Sequence, residues 1–318
     1  MSQPLIATLA QQDASGTVDI LAPSWTAGLC ERLPGAGQVI ASPFAHGEFN
    51  WNSRRALGKQ LANHGYQRVF VLPNSFKAAL IPWFSGIPQR IGYVGEWRYG
   101  LLNKTIPLNK KARPRLVDRY FDLAQSGLAS APNPVIRARR ESLPTLFQSF
   151  GLPVQKHCLI LCPGAEYGPA KRWPARHFAA LASHYLNQEW SVIILGSAKD
   201  HEAGEEICAK AIPGARNLCG QTNLAQAIDL MAASSAVVTN DSGLMHIAAA
   251  LGKPMVAVFG SSSPSFTPPL SDRACIAYLS LACSPCFKRE CPLGHLDCLE
   301  KLLPENVIAG LATFKNLI

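Results

Sequence analysis

The segment Thr239-Asn240-Asp241-Ser242-Gly243-Leu244-Met245-His246 stands where an apolar strand gives way to a helix. A helix start offers unpaired N–H groups and the positive end of the helix dipole, so the amides around Ser242 to Leu244 suit a diphosphate. Asp241 would repel that anion. It suits sugar hydroxyls instead, or caps the helix, and Asn240 is an equally good N-cap. A second loop, Pro163 to Pro174, holds Gly164, Ala165, Glu166, Gly168 and Lys171. Its glycines allow close backbone approach, and Lys171 is placed to neutralise charge on a departing phosphate without a metal. The plain alternative is an exposed Lys-Arg pair ahead of a helix that Pro174 starts. A third turn, Gly196-Ser197, leads into Asp200-His201-Glu202. There Glu202 meets a ribose hydroxyl or simply complements the helix dipole. Asn217 to Thr222, with Leu218 in it, follows the next strand and borders a base pocket through its backbone. No G-x-G-x-x-G, no G-x-x-x-x-G-K-[ST] and no Asp-x-Asp pair occurs. The loops therefore point to a nucleotide diphosphate compound held by amides and a lysine.

In the first half, Leu72 to Lys77 again sets polar residues between a strand and a helix. Asn74, Ser75 and Lys77 there cradle an anionic acceptor, and the aromatic loop Gly92 to Gly100, which carries Arg98, faces sugar or packs locally. Cys283, Cys286, Cys291 and Cys298 have a spacing compatible with a structural zinc, with two disulfides, or with four unbonded thiols. The other cysteines lie mostly in apolar stretches and read as small core residues.

These loops need strands and helices to aim them. Short apolar runs at 157–162, 190–195, 216–218, 236–239 and 254–259 alternate with helical patterns at 174–188, 200–211, 224–233 and 243–251. Such alternation predicts a parallel sheet with helices on both faces and ligands at the carboxyl ends of its strands. The first half repeats the pattern, with strands at 18–22, 38–41 and 68–72 and helices at 51–64, 75–84 and 114–128. The Pro- and Arg-rich stretch 131–144 is the expected linker, giving domains 1–144 and 145–318 that face each other across a cleft. The chain opens on a helical pattern, Ser2 to Gln11, where such a domain normally opens on a central strand.

The 318 residues are 48% apolar, with 30 Lys and Arg against 21 Asp and Glu. That composition excludes a disordered or collagen-like polymer. With neither a secretory signal pattern nor an apolar run of about 18 residues, it predicts a soluble, cytoplasmic protein. The net charge of +9 favours anionic partners without choosing among nucleic acid, phospholipid and a phosphorylated metabolite. A nucleic-acid-binding module would predict salt-sensitive binding and leaves four nucleotide-type loops unexplained.

Several motifs in order resemble the ADP-heptose:lipopolysaccharide heptosyltransferases, glycosyltransferase family 9. They are Asn74 to Lys77, Glu96 to Asn103, Gly164 to Pro174 and Asn240 to His246, and the likeness runs nearly end to end. The resemblance implies a GT-B fold whose second Rossmann-like domain binds ADP-heptose and whose first binds the lipopolysaccharide inner core. It implies inverting, metal-independent transfer of L-glycero-D-manno-heptose to the first heptose of heptosyl-Kdo2-lipid A, at the cytoplasmic face of the inner membrane, with no nucleic acid involved. By motif, Lys171 stabilises the departing ADP, the Ser242 to Leu244 amides hold the diphosphate, and Asp241 contacts heptose hydroxyls. Gly164, Ala165, Glu166, Ser197, Glu202, Leu218, Asn240, Gly243 and His246 complete the donor side. Asn74, Ser75, Lys77 and Arg98 form the acceptor side. The family's catalytic aspartate belongs to the loop after the first strand, ahead of the segment matching Met1 to Leu5, which predicts a truncated, impaired enzyme. Another GT-B transferase or a nucleotide-sugar epimerase is the rival enzyme reading.

Overall fold

A computed structural model describes residues 1–45, 47–153 and 157–314. The chain divides into two compact units, Met1–Ala27 with Gly35–Pro132, and Gly28–Pro34 with Asn133–Ile318.

The second unit is built on a six-stranded parallel sheet of β6 (Cys158–Cys162), β7 (Ser191–Ile194), β8 (Arg216–Asn217), β9 (Ala236–Asn240), β10 (Met255–Val258) and β11 (Ala274–Ala277), ordered β11-β10-β9-β6-β7-β8. Strands β6, β7, β9 and β10 are buried at every position, which is why they read as unbroken apolar runs. Alternate residues feed opposite faces. Leu159, Leu161, Val192, Ile194, Val238 and Val256 join one core, whereas Ile160, Ile193, Val237, Met255 and Ala257 join the other. From β6 the chain steps outward through β7 and β8, then returns to lay β9 on the other side of β6. That reversal is a topological switch point, where a crevice opens beyond the strands' carboxyl ends.

The expected linker belongs to this unit. Ile136 is buried and its N–H donates to Ala250 O, while Arg137 N donates to Arg32 O. Arg32, from the segment Gly28–Pro34, meets Asp229 in a bidentate pair at 2.7 and 2.8 Å, and both side chains are buried. Asp229 also accepts from Arg139 N and Ser142 Oγ.

The first unit has two separate parallel sheets among its described residues. One pairs β1 (Val18–Pro23) with β2 (Ala36–Ser42), and the other joins β3 (Arg68–Val71), β4 (Gln89–Tyr93) and β5 (Lys104–Ile106). Helix Gln3–Gln12 starts the chain as its pattern predicts, and Leu5 and Leu9 pack with Tyr93, Leu123, Val18 and Phe70, touching strands of both sheets. No residue of β1 is fully buried. A two-stranded sheet is marginal by itself, so hydrogen-exchange mass spectrometry should show β1 and β2 at least about 100-fold less protected than β6 and β9. Equal protection would contradict this ordering. Among the described residues, no helix is long and apolar enough to cross a membrane.

Candidate active site

In the second unit, the adjacency of β6 and β9 aligns Cys162 with Thr239, so the loops that follow these strands lie side by side. Asn240 fastens them. Its Nδ2 donates to Pro163 O at 2.6 Å and its Oδ1 accepts from Trp173 N at 3.1 Å, with the residue fully buried. Both ends of the 163–173 loop thus hang on one amide. Asn240, expected on the donor side, is placed as a fastener of the loop.

The fastened loop delivers Lys171, whose Nζ lies 2.5 Å from Asp241 Oδ2. Ser262 Oγ donates to the same oxygen at 2.5 Å. Asp241 N donates to Val258 O, and this edge contact with β10 brings the following Gly260-Ser261-Ser262 turn alongside. Tyr167 lies beneath Lys171, its ring centroid 5.2 Å from Nζ, and its hydroxyl donates to Phe287 O. Gly168 has φ +155°, and a Cβ there would sit 2.5 Å from Arg289 O, so the tight turn before Lys171 excludes any side chain.

Beside this cluster starts helix Gly243–Ala250. Ser242 is extended and its side chain makes no cap bond, the first turn holds no acid, and a Cβ on Gly243 would meet only open space. Free amides, the dipole and the Lys171 ammonium together suit a diphosphate next to a carboxylate that accepts sugar hydroxyls. His246 lies on the second turn of this helix, where burial drops its imidazole to about 4. The unfolded chain then binds the extra proton first, so this group's stabilising effect is complete above pH about 6.5 and is lost as pH falls to about 4. Unfolding free energies from urea titrations should fall less over that window in His246→Asn than in the parent, by up to about 3 kcal/mol. Identical pH slopes would remove His246 as the cause.

Other expected donor-side residues are placed differently. Ser197 is held in a capping box, its N and Oγ both donating to Asp200 Oδ2, and the Asp200 carboxylate packs against Gly164. Leu218 is buried, its N–H donates to Ile194 O and its carbonyl accepts from Gln221 N. Glu166 is exposed and pairs with Lys199 at 2.6 Å, a contact that holds its carboxyl below the usual range. Ala165 is buried, and Glu202 is exposed in the first turn of helix His201–Lys210.

In the first unit, Arg98 is only 1% exposed, and its guanidinium donates to Tyr93 O, Pro73 O and Asn74 Oδ1. Arg98, expected on the acceptor side, is thus placed as a buried clamp. It does fix the 72–77 loop to the 92–103 loop, and Glu96 adds a bond from Phe76 N. Ser75 and Lys77 remain partly exposed at the start of helix Phe76–Phe84.

The zinc expectation finds no support among the described residues. None of the ten cysteines is in a disulfide, and no group of three or more metal-ligating side chains is assembled among the described residues. Cys298 is buried in the core and Cys283 is exposed, and burial, then the neighbouring Cys283, Cys286 and Cys291, push the Cys298 thiol up. Sequence reasoning missed Ser262, although it follows a recognised strand as the other strand-end loops do.

A family model for glycosyltransferase family 9 (heptosyltransferase) matches residues 54–297. Lipopolysaccharide heptosyltransferase 2 of Salmonella typhimurium is 43% identical over 324 residues, covering 98% of this chain and 93% of its own. Lipooligosaccharide heptosyltransferase 2 of Haemophilus influenzae is 43% identical over 295 residues, covering 88% and 84%. The solved structure of E. coli ADP-heptose lps heptosyltransferase II superposes with a TM-score of 0.87 at 40% identity, covering 98% and 93%. A family 9 glycosyltransferase from Veillonella parvula shares the fold with a TM-score of 0.85 at 20% identity, covering 98% and 92%.

Proposed function

This chain belongs to glycosyltransferase family 9, the heptosyltransferases, and from that membership and the site geometry we propose that it moves heptose from ADP-heptose onto the lipopolysaccharide inner core. The observation that carries the reading is the Lys171–Asp241–Ser262 cluster beside an uncapped helix start, at the switch point of the second sheet. The fold class is GT-B, each unit contributing parallel α/β structure.

The acceptor is heptosyl-Kdo2-lipid A, whose heptose hydroxyl attacks the anomeric carbon of the donor. A C–O bond forms to the acceptor, the bond to the diphosphate breaks, and ADP departs with the electron pair. Lys171 and the Ser242 to Leu244 amides meet the charge that grows on the diphosphate, a role that metal ions fill elsewhere, and so support metal-independent transfer. Asp241 Oδ2 is already bonded to Lys171 and Ser262, which suits it to orient hydroxyls rather than to form a covalent intermediate. That supports a single displacement with inversion. The proton of the attacking hydroxyl needs a base, and Asp241 is not assigned that role.

Mass spectrometry of heptosyl-Kdo2-lipid A after incubation with ADP-heptose, this chain and EDTA should show a gain of one heptose. No gain, or a gain only with added metal, would count against the proposal. Ser262→Ala, which loosens Asp241 without removing it, should lower kcat about tenfold, in line with one lost charge-assisted hydrogen bond of about 1.5 kcal/mol. An unchanged kcat would separate Ser262 from Asp241's function.

Membrane contact is peripheral in this reading. No Asp or Glu lies between Glu48 and Glu96, and Arg55 and Lys59 stand exposed on helix Trp51–Ala62. Such a surface favours anionic lipid and releases it at raised salt.

A further inference from the structure

All strands of the second sheet are parallel, so the residues that precede them gather at the edge opposite the proposed active site. There Ile136, Arg140, Glu141, Leu251, Lys253 and Arg273 line an open pocket of about 540 Å³. Lys253 precedes β10 and Arg273 precedes β11, which sets their side chains on one rim, while Arg140 comes from the 131–144 stretch packed below. None of the three cations has an ion-pair partner among the described residues. The adjacent Arg139 is different, since it pairs with Glu31. Glu141 is the one acid in the lining, and it is exposed and joins no ion pair.

Lys253 Nζ donates to Ala232 O at 3.1 Å, close to the end of helix Leu224–Ala233. Capping that helix explains one donor of an ammonium that has three. It explains neither Arg140 nor Arg273. Burial, and after it the charges of Arg273 and Arg140, pull Lys253 below the usual lysine range. Three converging positive charges, with Glu141 as the one acid in the lining and in no ion pair with them among the described residues, favour a further anion that offsets them.

We propose that this pocket is a second anion site, separate from the donor site, that takes a phosphate-bearing ligand of two or more negative charges. Arg140 and Arg273 supply planar forks that match phosphate oxygens, and Lys253 supplies a point charge from the floor. The phosphate can come from a soluble metabolite or from a phosphorylated lipid headgroup.

The test is calorimetric titration of the full chain with inorganic pyrophosphate at low ionic strength, with and without saturating ADP. Saturable binding should persist under ADP, weaken at least tenfold in the R140Q/R273Q double variant, and stay within twofold of the parent in K171M. Both arginines are exposed and join no ion pair among the described residues, so the double variant should melt no lower than the parent and keep its transferase rate. Absence of saturable binding under ADP would overturn the proposal, as would a double variant that binds like the parent. Cosedimentation with phosphatidic acid vesicles, against phosphatidylcholine alone, then separates the sources. Vesicle retention lost in R140Q/R273Q supports a lipid headgroup, and pyrophosphate binding without vesicle retention supports a soluble anion.

Discussion

Replacing Lys171 by Met should lower kcat for heptose transfer by about 10²–10³-fold, the usual cost of removing one preorganised group that meets transition-state charge. The side chain is largely enclosed, and its ammonium lies 2.5 Å from Asp241. On donor binding the same charge is available to the diphosphate, where negative charge grows only as the glycosidic bond breaks. The loss should therefore fall on kcat, with the donor KM changing far less. Initial rates of ADP release over a range of ADP-heptose concentrations measure both. A reduction below tenfold in kcat would remove Lys171 from this role. If Lys171 served only to neutralise Asp241, then Asp241→Asn in the K171M background would restore rate, whereas the charge-stabilising role predicts no recovery.

Asp229→Ala should destabilise the second unit by about 3–5 kcal/mol, the range for breaking one partner out of a buried ion pair. Arg32 and Asp229 are 5% and 6% exposed at the side chain. Removing the carboxylate strands a buried guanidinium and also frees Arg139 N and Ser142 Oγ, so the 131–144 stretch loses its hold on the sheet. Urea denaturation followed by tryptophan fluorescence reports this, because Trp173 and Trp190 lie in the second unit's core. The double variant Arg32→Met/Asp229→Leu should recover part of the loss, since no unpaired charge then remains buried. A double variant as unstable as the sum of the single ones would show that the pair's charges are not the cause.

The contrast between the two units explains how much the sequence reveals. In the second unit the strands are covered on both faces, and β6, β7, β9 and β10 announce themselves as apolar runs of strand length. Helices 174–188, 200–211, 224–233 and 243–251 appear within a residue or two of their expected ends, at Ala175–Leu186, His201–Lys210, Leu224–Ala233 and Gly243–Ala250. The sequence hides β4, β5 and β11. Gln89, Arg90 and Gly92 interrupt β4, β5 has three residues, and β11 is a half-covered edge. The pattern at 114–128 yields only Leu116–Phe121 and a short 3-10 turn, ended by Gln125 with φ +49°. In the site, the loops could be ranked from strand–helix junctions alone. What no pattern could tell is whether a polar side chain looks outward or inward. Arg98 and Asn240 look inward and bond backbone carbonyls, whereas Ser262 meets a carboxylate from a neighbouring strand.

The placement of Gly28–Pro34 in the second unit carries a consequence for synthesis of the chain. Arg32 leaves the ribosome among the first residues, yet the aspartate that receives it follows 197 positions later. At about 5–20 residues per second that interval lasts roughly 10–40 s. Throughout it a residue destined for burial waits in solvent, and the first unit must fold with an intervening stretch of chain that it does not keep. The two halves of this enzyme are therefore not sequential products of translation. A ribosome stalled just after Pro132 would carry the complete first unit together with a detached piece of the second, and a second half made separately would lack the segment that neutralises Asp229.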